Sequence, residues 1–346
     1  MASTTYSAFG AKSTATEVAR AFGAEIEGKA VLITGVGPKG LGEALALAIA
    51  AQKPRLLVLA SRTIAKLQLV EDKIRSIAPE APVQKVQVDL SSQKSVRHAA
   101  TEIIQILREK DFKLDVLINN AGINISTRQL SPEGIELQFA TNHVGPFLLT
   151  NLVLPNLSPV GRVVNVSSEG HRVTGVRFSD WNFEPGKTVA EAEKPSERLR
   201  ELGFLKGGDG YEVWLAYGQS KTANILFALA LNERFRKGTE MGRRALACHP
   251  GNIWTELVRD MNQEDLKKME TSVTDNWKTA DQGAATMLVA AFDPKLQHQN
   301  VTYMDDCQPR RPARWAGDAA KAEQLWELSE SLVGERFGPG QRQGRL

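Results

Sequence analysis

The stretch AVLITGVGPKGLGEALALAIA, residues 30–50, decides the fold. Its first five residues, Ala30–Thr34, form an apolar, partly β-branched run of the kind buried on both faces of a parallel sheet. A glycine-rich turn follows, and the alanine- and leucine-rich run after it favours a helix. Glycines at such a junction allow tight backbone turns, and a helix that begins there presents free N–H groups to a diphosphate. Two frames overlap: Gly35, Gly37 and Gly40 fit G-x-G-x-x-G, whereas Gly35, Gly40 and Gly42 fit a longer loop. A glycine string between a strand and a helix is a candidate dinucleotide site.

The same alternation continues outward. Strands are expected at Ala30–Thr34, Leu56–Ala60, Val83–Val88, Val116–Asn119, Arg162–Val166, Arg244–Cys248 and Val301–Met304. Helices are expected at Gly42–Gln52, Ile64–Ile77, Gln93–Lys110, Pro132–Leu154, Tyr217–Arg236 and Asp281–Phe292. Apolar strands separated by helices imply an α/β fold of Rossmann type: a doubly wound, seven-stranded, mainly parallel sheet with helices on both faces. Ligands are then expected beyond the carboxyl ends of the strands. The chain reads as one domain over 28–346, preceded by a loose tail and a helix from Thr16 to Ile26 packed outside the first strand. Two interruptions stand out, at about 169–212 on the substrate side and 253–279 as a lid.

Composition sets limits. The 346 residues are 42% apolar and 24% charged, with a formal net charge of +3, too small a basic excess to argue for nucleic acid. Cys248 and Cys307 are too few for a disulfide framework and lack metal-ligand spacing, which fits a reducing, cytoplasmic compartment. No apolar run approaches a membrane span, and the N-terminus lacks the charged-then-apolar order of a secretory leader.

Two further segments carry chemistry. After the second strand, an acidic residue would bond an adenosine ribose, but here stands Ala60-Ser61-Arg62. The arginine fork suits a phosphate, so NADP(H) is preferred over NAD(H), and Lys39 points the same way. Tyr217-Gly218-Gln219-Ser220-Lys221 puts a phenol and an ammonium one helical turn apart. A free tyrosine has a pKa of about 10. A neighbouring cation favours the tyrosinate and would make Tyr217 a general acid/base.

Taken in order, the glycine loop, Asp89-Leu90, Asn119-Asn120-Ala121-Gly122, Asn142, Ser167-Ser168, Tyr217-x-x-x-Lys221 and Pro250-Gly251 resemble the short-chain dehydrogenase/reductase family. Within it, the chain is most similar to retinol-dehydrogenase-like and fungal biosynthetic members, from about Gly28 to Phe292. The resemblance implies that Tyr217 is the acid/base, that Lys221 lowers its pKa and holds the nicotinamide ribose, and that Ser168, rather than Ser167, bonds the substrate oxygen. Asn142 would anchor a water relay to Lys221. Gly35, Lys39, Gly40, Leu41, Gly42, Ser61 and Arg62 would hold the adenosine and phosphate end, and Asp89 and Leu90 would flank the adenine. Asn120, Ala121 and Gly122 would line the cofactor, and Pro250, Gly251, Ile253 and Thr255 would hold its nicotinamide end.

Two departures from the family pattern matter. The glycine loop is one residue longer than usual and contains Pro38, which has no N–H. Ser168 and Tyr217 stand much further apart than is common. Phe178–Glu184 is similar to the retinol-dehydrogenase branch, and Lys187–Gly210 reads as a further charged, glycine-rich insertion. Trp181, Trp214, Trp254 and Trp277 fall in the two interruptions with Phe178, Phe183, Met261 and Met269. These rings either line a roomy apolar pocket or pin long loops to the sheet.

The resulting expectation is an NADP(H)-dependent oxidoreductase that interconverts a carbonyl and an alcohol on a bulky apolar substrate, in the manner of secondary metabolism. The alternatives are an isomerase, dehydratase or epimerase on the same fold, or a non-catalytic NADPH-binding sensor. In the family the helices Pro132–Leu154 and Tyr217–Arg236 usually form a dimer face, but the retinol-like branch varies, so the oligomeric state, homodimer included, stays open. His143, His171 and His249 match no metal site and are read as core or loop residues.

Overall fold

A computed structural model describes residues 2–201, 203–205, 211–238, 241–272 and 277–338. Its strands are β1 (Ala30–Thr34), β2 (Leu56–Ser61), β3 (Val83–Gln87), β4 (Leu114–Asn119), β5 (Leu157–Val166), β6 (Arg244–His249), β7 (Asn252–Ile253), β8 (Trp277–Lys278), β9 (Tyr303–Asp305) and β10 (Gln308–Pro309). Eight of them form one sheet in the order β10-β9-β6-β5-β4-β1-β2-β3. All neighbours run parallel except β9 and β10. The sheet therefore has one strand more than expected. Asp306 and Cys307, both at positive φ, turn the chain back into β10, a two-residue strand ending in a proline that shows no apolar alternation. β7 and β8 pair separately beside the sheet.

Side chains of β1 alternate between two cores, as the pleat requires. Ala30 and Leu32 face the core shared with helices Gln93–Glu109, Gly145–Val153 and Val213–Lys237. Val31 and Ile33 face the core shared with helices Leu41–Ala50, Ile64–Ile77 and Ala280–Phe292. The strand order reverses between β1, from which β2 and β3 lead outward, and β4, which starts the other half. That switch point places a crevice at the carboxyl ends of β1 and β4.

Several expected boundaries move, each for a physical reason. The helix expected over Pro132–Leu154 starts only at Leu137, where the Glu136 carboxylate accepts from the N–H groups of Gln138 and Phe139. It then widens into a π-turn at Ala140–Val144 before continuing as Gly145–Val153. Pro146 has no N–H for the carbonyl four residues earlier, so the regular ladder cannot close there. The first helix breaks at Phe22 into Ala15–Ala21 and Gly23–Ile26, and it rests on helices Ala280–Phe292 and Leu41–Ala50 rather than on β1. The segment before it is not loose. Ser3 and Thr5 bond Gln299 and Asp293, and the Tyr6 ring packs on Phe22.

A last helix, Ala319–Val333, went unread in the sequence although its signals are present: Asp318 caps its first turn, and Gly334 ends it at φ 67°. Its Trp326 packs on Phe147 and lies under the Arg234 guanidinium, 3.6 Å from the ring centroid. The helix Ala319–Val333 thus packs against the helices that carry Phe147 and Arg234. No helix among the described residues is long and apolar enough to cross a membrane.

Candidate active site

A cleft of about 740 Å³ opens at the carboxyl ends of the central strands. Among the expected cofactor residues, Gly35, Gly40, Leu41, Ser61, Arg62, Leu90, Asn120, Ala121, Gly122, Pro250, Gly251, Ile253 and Thr255 line it, together with Ser168, Tyr217 and Lys221. Four expected residues stand outside its wall. Lys39 projects from the loop at φ 63°, exposed. Gly42 is buried, and a Cβ there would lie 2.6 Å from the Gly35 carbonyl oxygen, so its smallness serves the packing of helix on loop. Asp89 turns its carboxylate onto Ser91. Asn142 lies behind Gly122, only 1% exposed.

The β1 end of the cleft is made of backbone. Gly35, at φ 71°, lies so close to Ala121 that a Cβ would fall 2.5 Å from its Cα. Helix Leu41–Ala50 starts at Gly40 with no side chain capping it, which leaves its first N–H groups for an anion. Arg62 is exposed at the end of β2, with no carboxylate in ion-pair reach among the described residues. Lys66, on the next helix, bonds Glu256 across the cleft at 2.6 Å. These features suit the phosphates of a dinucleotide.

The other end is made of buried side chains. Helix Val213–Lys237 brings Tyr217 and Lys221 into the cleft wall, 7% and 3% exposed. The Lys221 ammonium lies 5.5 Å from the Tyr217 ring centroid and donates to the Val166 carbonyl at 3.1 Å. Ser168 lines the same cleft as Tyr217, and its hydroxyl accepts from the Gly170 N–H at 3.1 Å. The other serine of the pair, Ser167, is turned away and donates to the Lys221 carbonyl at 2.8 Å. Gly170 lets the phenol ring lie against its backbone, since a Cβ would sit 3.0 Å from the ring.

Asn142 holds this end together. Its amide accepts from Ile123 N–H at 2.8 Å and donates to Ile123 C=O at 3.0 Å and to Ser220 Oγ at 2.9 Å. Ser220 in turn donates to the Tyr217 carbonyl at 2.7 Å. The π-turn at Ala140–Val144 thus aims Asn142 at the loop after β4 and at the helix that carries Tyr217. The same Asn142 Oδ1 and the Lys221 Nζ both crowd Gly122, at 3.3 and 3.2 Å from where its Cβ would be.

Burial dominates the electrostatics. It pushes Tyr217 up to about 12, against which the nearby Ser168 hydroxyl acts, and it pushes Lys221 down to about 8. The expectation that the neighbouring ammonium lowers the tyrosine pKa is not met in the protein alone. The ammonium points at Val166, and loss of water costs the tyrosinate more than a cation at that distance returns.

Of the aromatic and sulfur residues expected in a pocket, Trp214, Trp277 and Met269 line the cleft, with Phe204, Leu257 and Val258 added. Trp181 instead packs on Phe139, and Phe183 lies under the Arg177 guanidinium and against Tyr211. Both readings of these rings are therefore correct, for different residues. In the charged insertion expected over Lys187–Gly210, residue 202 and residues 206–210 lie outside the described set; Glu193 ties its first part to Phe178 and Ser179. Sequence reasoning also missed Glu136, fully buried, with a carboxyl raised by burial. It accepts from Tyr211 at 2.6 Å and so fixes the end of the long insertion. The charge at Glu136 gave no signal in sequence, because a surface role looks the same. Among the described residues no cluster could hold a metal ion.

Residues 29–180 match the family described as short chain dehydrogenase. The chain is 33% identical over 340 residues to short-chain dehydrogenase TIC 32 A, chloroplastic, of Brassica napus, covering 94% of this chain and 95% of that one. It is 33% identical over 312 residues to retinol dehydrogenase 12 of Mus musculus, covering 90% and 88%. A crystal structure of an uncharacterized protein from Mycobacterium paratuberculosis aligns with a TM-score of 0.64 at 31% identity, over 90% of this chain and 96% of that one. The chain belongs to the short-chain dehydrogenase/reductase family, a family of oxidoreductases.

Proposed function

We propose that this protein is an NADP(H)-dependent oxidoreductase that interconverts a carbonyl and an alcohol on a bulky, largely apolar substrate, with Tyr217 as acid/base. The observation that carries this reading is that Ser168, Tyr217 and Lys221 line one cleft, with the Tyr217 ring 5.5 Å from the Lys221 ammonium. The uncapped helix at Gly40 and the free Arg62 would hold the phosphates of the cofactor, and Arg62 favours the form with the adenosine phosphate. Among the described residues Lys221 has a single carbonyl as acceptor, and it would take the nicotinamide ribose hydroxyls as further ones.

Bound NADPH supplies the hydride. The chain's own residues supply the rest. Ser168 bonds the substrate oxygen and orients it toward Tyr217. With its pKa pushed up to about 12, Tyr217 is a phenol at neutral pH, the form that protonates the oxygen of a reduced carbonyl. Trp214, Trp277 and Met269 give the substrate end its apolar wall and keep water from the reacting carbon.

A panel of 9,10-phenanthrenequinone, 4-nitrobenzaldehyde and all-trans-retinal, followed by NADPH absorbance, tests the reaction class. Tyr217→Phe should cut turnover ~10²–10⁴-fold while the NADPH dissociation constant stays within about twofold. Near-parental turnover in that variant would falsify the assignment, and product formed without net NADPH consumption would point to isomerase or dehydratase chemistry.

A further inference from the structure

The peptide that links Ser168 to Glu169 is held at both its polar ends. Its carbonyl accepts from His171 Nδ1 at 2.6 Å, and its N–H donates to His249 Nδ1 at 3.2 Å. The partners fix both tautomers. Ala313 N–H donates to His171 Nε2 at 3.1 Å, so that nitrogen carries no proton and Nδ1 is the donor. At His249 the roles reverse: Nδ1 accepts, and the proton sits on Nε2. Both rings are buried, and burial drives their pKa values down to about 4 and about 3, so both stay neutral through the physiological range.

His171 is itself held. Its carbonyl accepts from Trp315 Nε1 at 2.9 Å and from Thr222 Oγ1 at 3.1 Å, and Thr222 follows Lys221 on the catalytic helix. A tilt of the Ser168–Glu169 peptide carries Gly170 with it, and the Gly170 N–H, which donates to the Ser168 hydroxyl at 3.1 Å, then pulls that hydroxyl within the cleft it shares with Tyr217. Two imidazoles on one peptide, one donating and one accepting, remove that freedom.

We propose that His171 and His249 are positioning residues that clamp the Ser168–Glu169 peptide and thereby aim the Ser168 hydroxyl at the oxygen Tyr217 protonates. The proposal rests on the carbonyl–alcohol reading given above. It assigns the segment around Ala313 and Trp315 a share in the geometry of the site, through His171.

The test compares His171→Phe and His249→Phe with His171→Asn and His249→Asn, each alone and combined with Ser168→Ala. Asparagine places an amide where the ring Nδ1 stood, as donor or acceptor, whereas phenylalanine keeps the ring shape without either. The readouts are kcat for NADPH-dependent reduction of 9,10-phenanthrenequinone, NADPH affinity by fluorescence, and circular dichroism. The phenylalanine variants should lose ~10–100-fold in kcat with NADPH affinity within about twofold, and asparagine should restore most of it. In the Ser168→Ala background the same changes should cost little more, because their effect passes through the missing hydroxyl.

Folded phenylalanine variants with parental kcat, or losses that multiply with Ser168→Ala, overturn the clamp. Where a phenylalanine variant does not fold, His249→Gln, whose amide is displaced by one methylene, must show the kcat loss, and parental kcat there overturns the clamp as well. Parental kcat in Ser168→Ala alone would sink the functional reading. An inactive Ser168→Ala beside fully active histidine variants would sink only the clamp.

Discussion

The two ends of the cleft are built on opposite plans. Around β1 and β2 the wall is backbone and exposed charge: Gly35 and Gly40, an uncapped helix, Arg62, and the Lys66–Glu256 pair. Around β5 and β6 it is a buried network of side chains, in which Asn142, Ser220, Tyr217, Lys221, His171 and His249 are all less than a tenth exposed. The first plan costs little, since amides at a helix end and solvated cations need no partner when the cleft is open. The second buries an ammonium whose one hydrogen-bond acceptor is a carbonyl, with no carboxylate paired to it among the described residues. A buried, unpaired charge is tolerated where it serves a site rather than stability.

Substitutions at either end sharpen this contrast. The largest effect is expected for Lys221→Met, which removes the ammonium and keeps the stem. Turnover should fall ~10³-fold, with weaker NADPH binding, in steady-state kinetics and titration. A variant that retained a tenth of parental turnover would break the idea that this end exists for chemistry. Next comes Arg62→Ser, which should raise the NADPH KM ~10–100-fold, leave kcat nearly unchanged and narrow the preference over NADH. A loss confined to kcat would contradict the division of labour.

A third effect is in stability against pH. Lys221 titrates near 8 in the folded chain and near 10.5 unfolded, so between those values the unfolded state binds more protons. Stability of the parent relative to Lys221→Met should therefore rise with pH across that window, by about 1.4 kcal/mol per unit, and be lost again on acidifying through 8. Thermal unfolding of both proteins without cofactor checks this, and parallel pH profiles would count against a desolvated ammonium.

The same contrast explains what could be read in the sequence. The β1 end was legible because its demands fall on glycine: Gly35 at φ 71° against Ala121 admits no other residue cheaply, and the strand and helix around it announce themselves by pattern. Tyr217 and Lys221 were legible by helical spacing. The network behind them was not. Asn142 was expected to anchor a relay, but its observed contacts to Ile123 and Ser220 depend on a π-turn that no periodicity reveals. His171 and His249 meet at Ser168 from residues far apart in the chain, so only the assembled fold shows them at one peptide. The direction of the Tyr217 shift was also misjudged, because spacing reports which groups are near and says nothing of how much water they lose. The packing of Ala319–Val333 on the catalytic helix was not legible either, because its Asp318 and Gly334 signals lie beyond the recognised motifs.

The bond between Lys66 and Glu256 joins two walls of the cleft while both side chains stay well exposed, 41% and 55%. Exposed pairs of this kind hold weakly and rearrange on the picosecond-to-nanosecond scale of surface side chains. The entrance beside β2 is therefore a turnstile rather than a lock: it marks the route a visitor takes without setting how long that visitor stays.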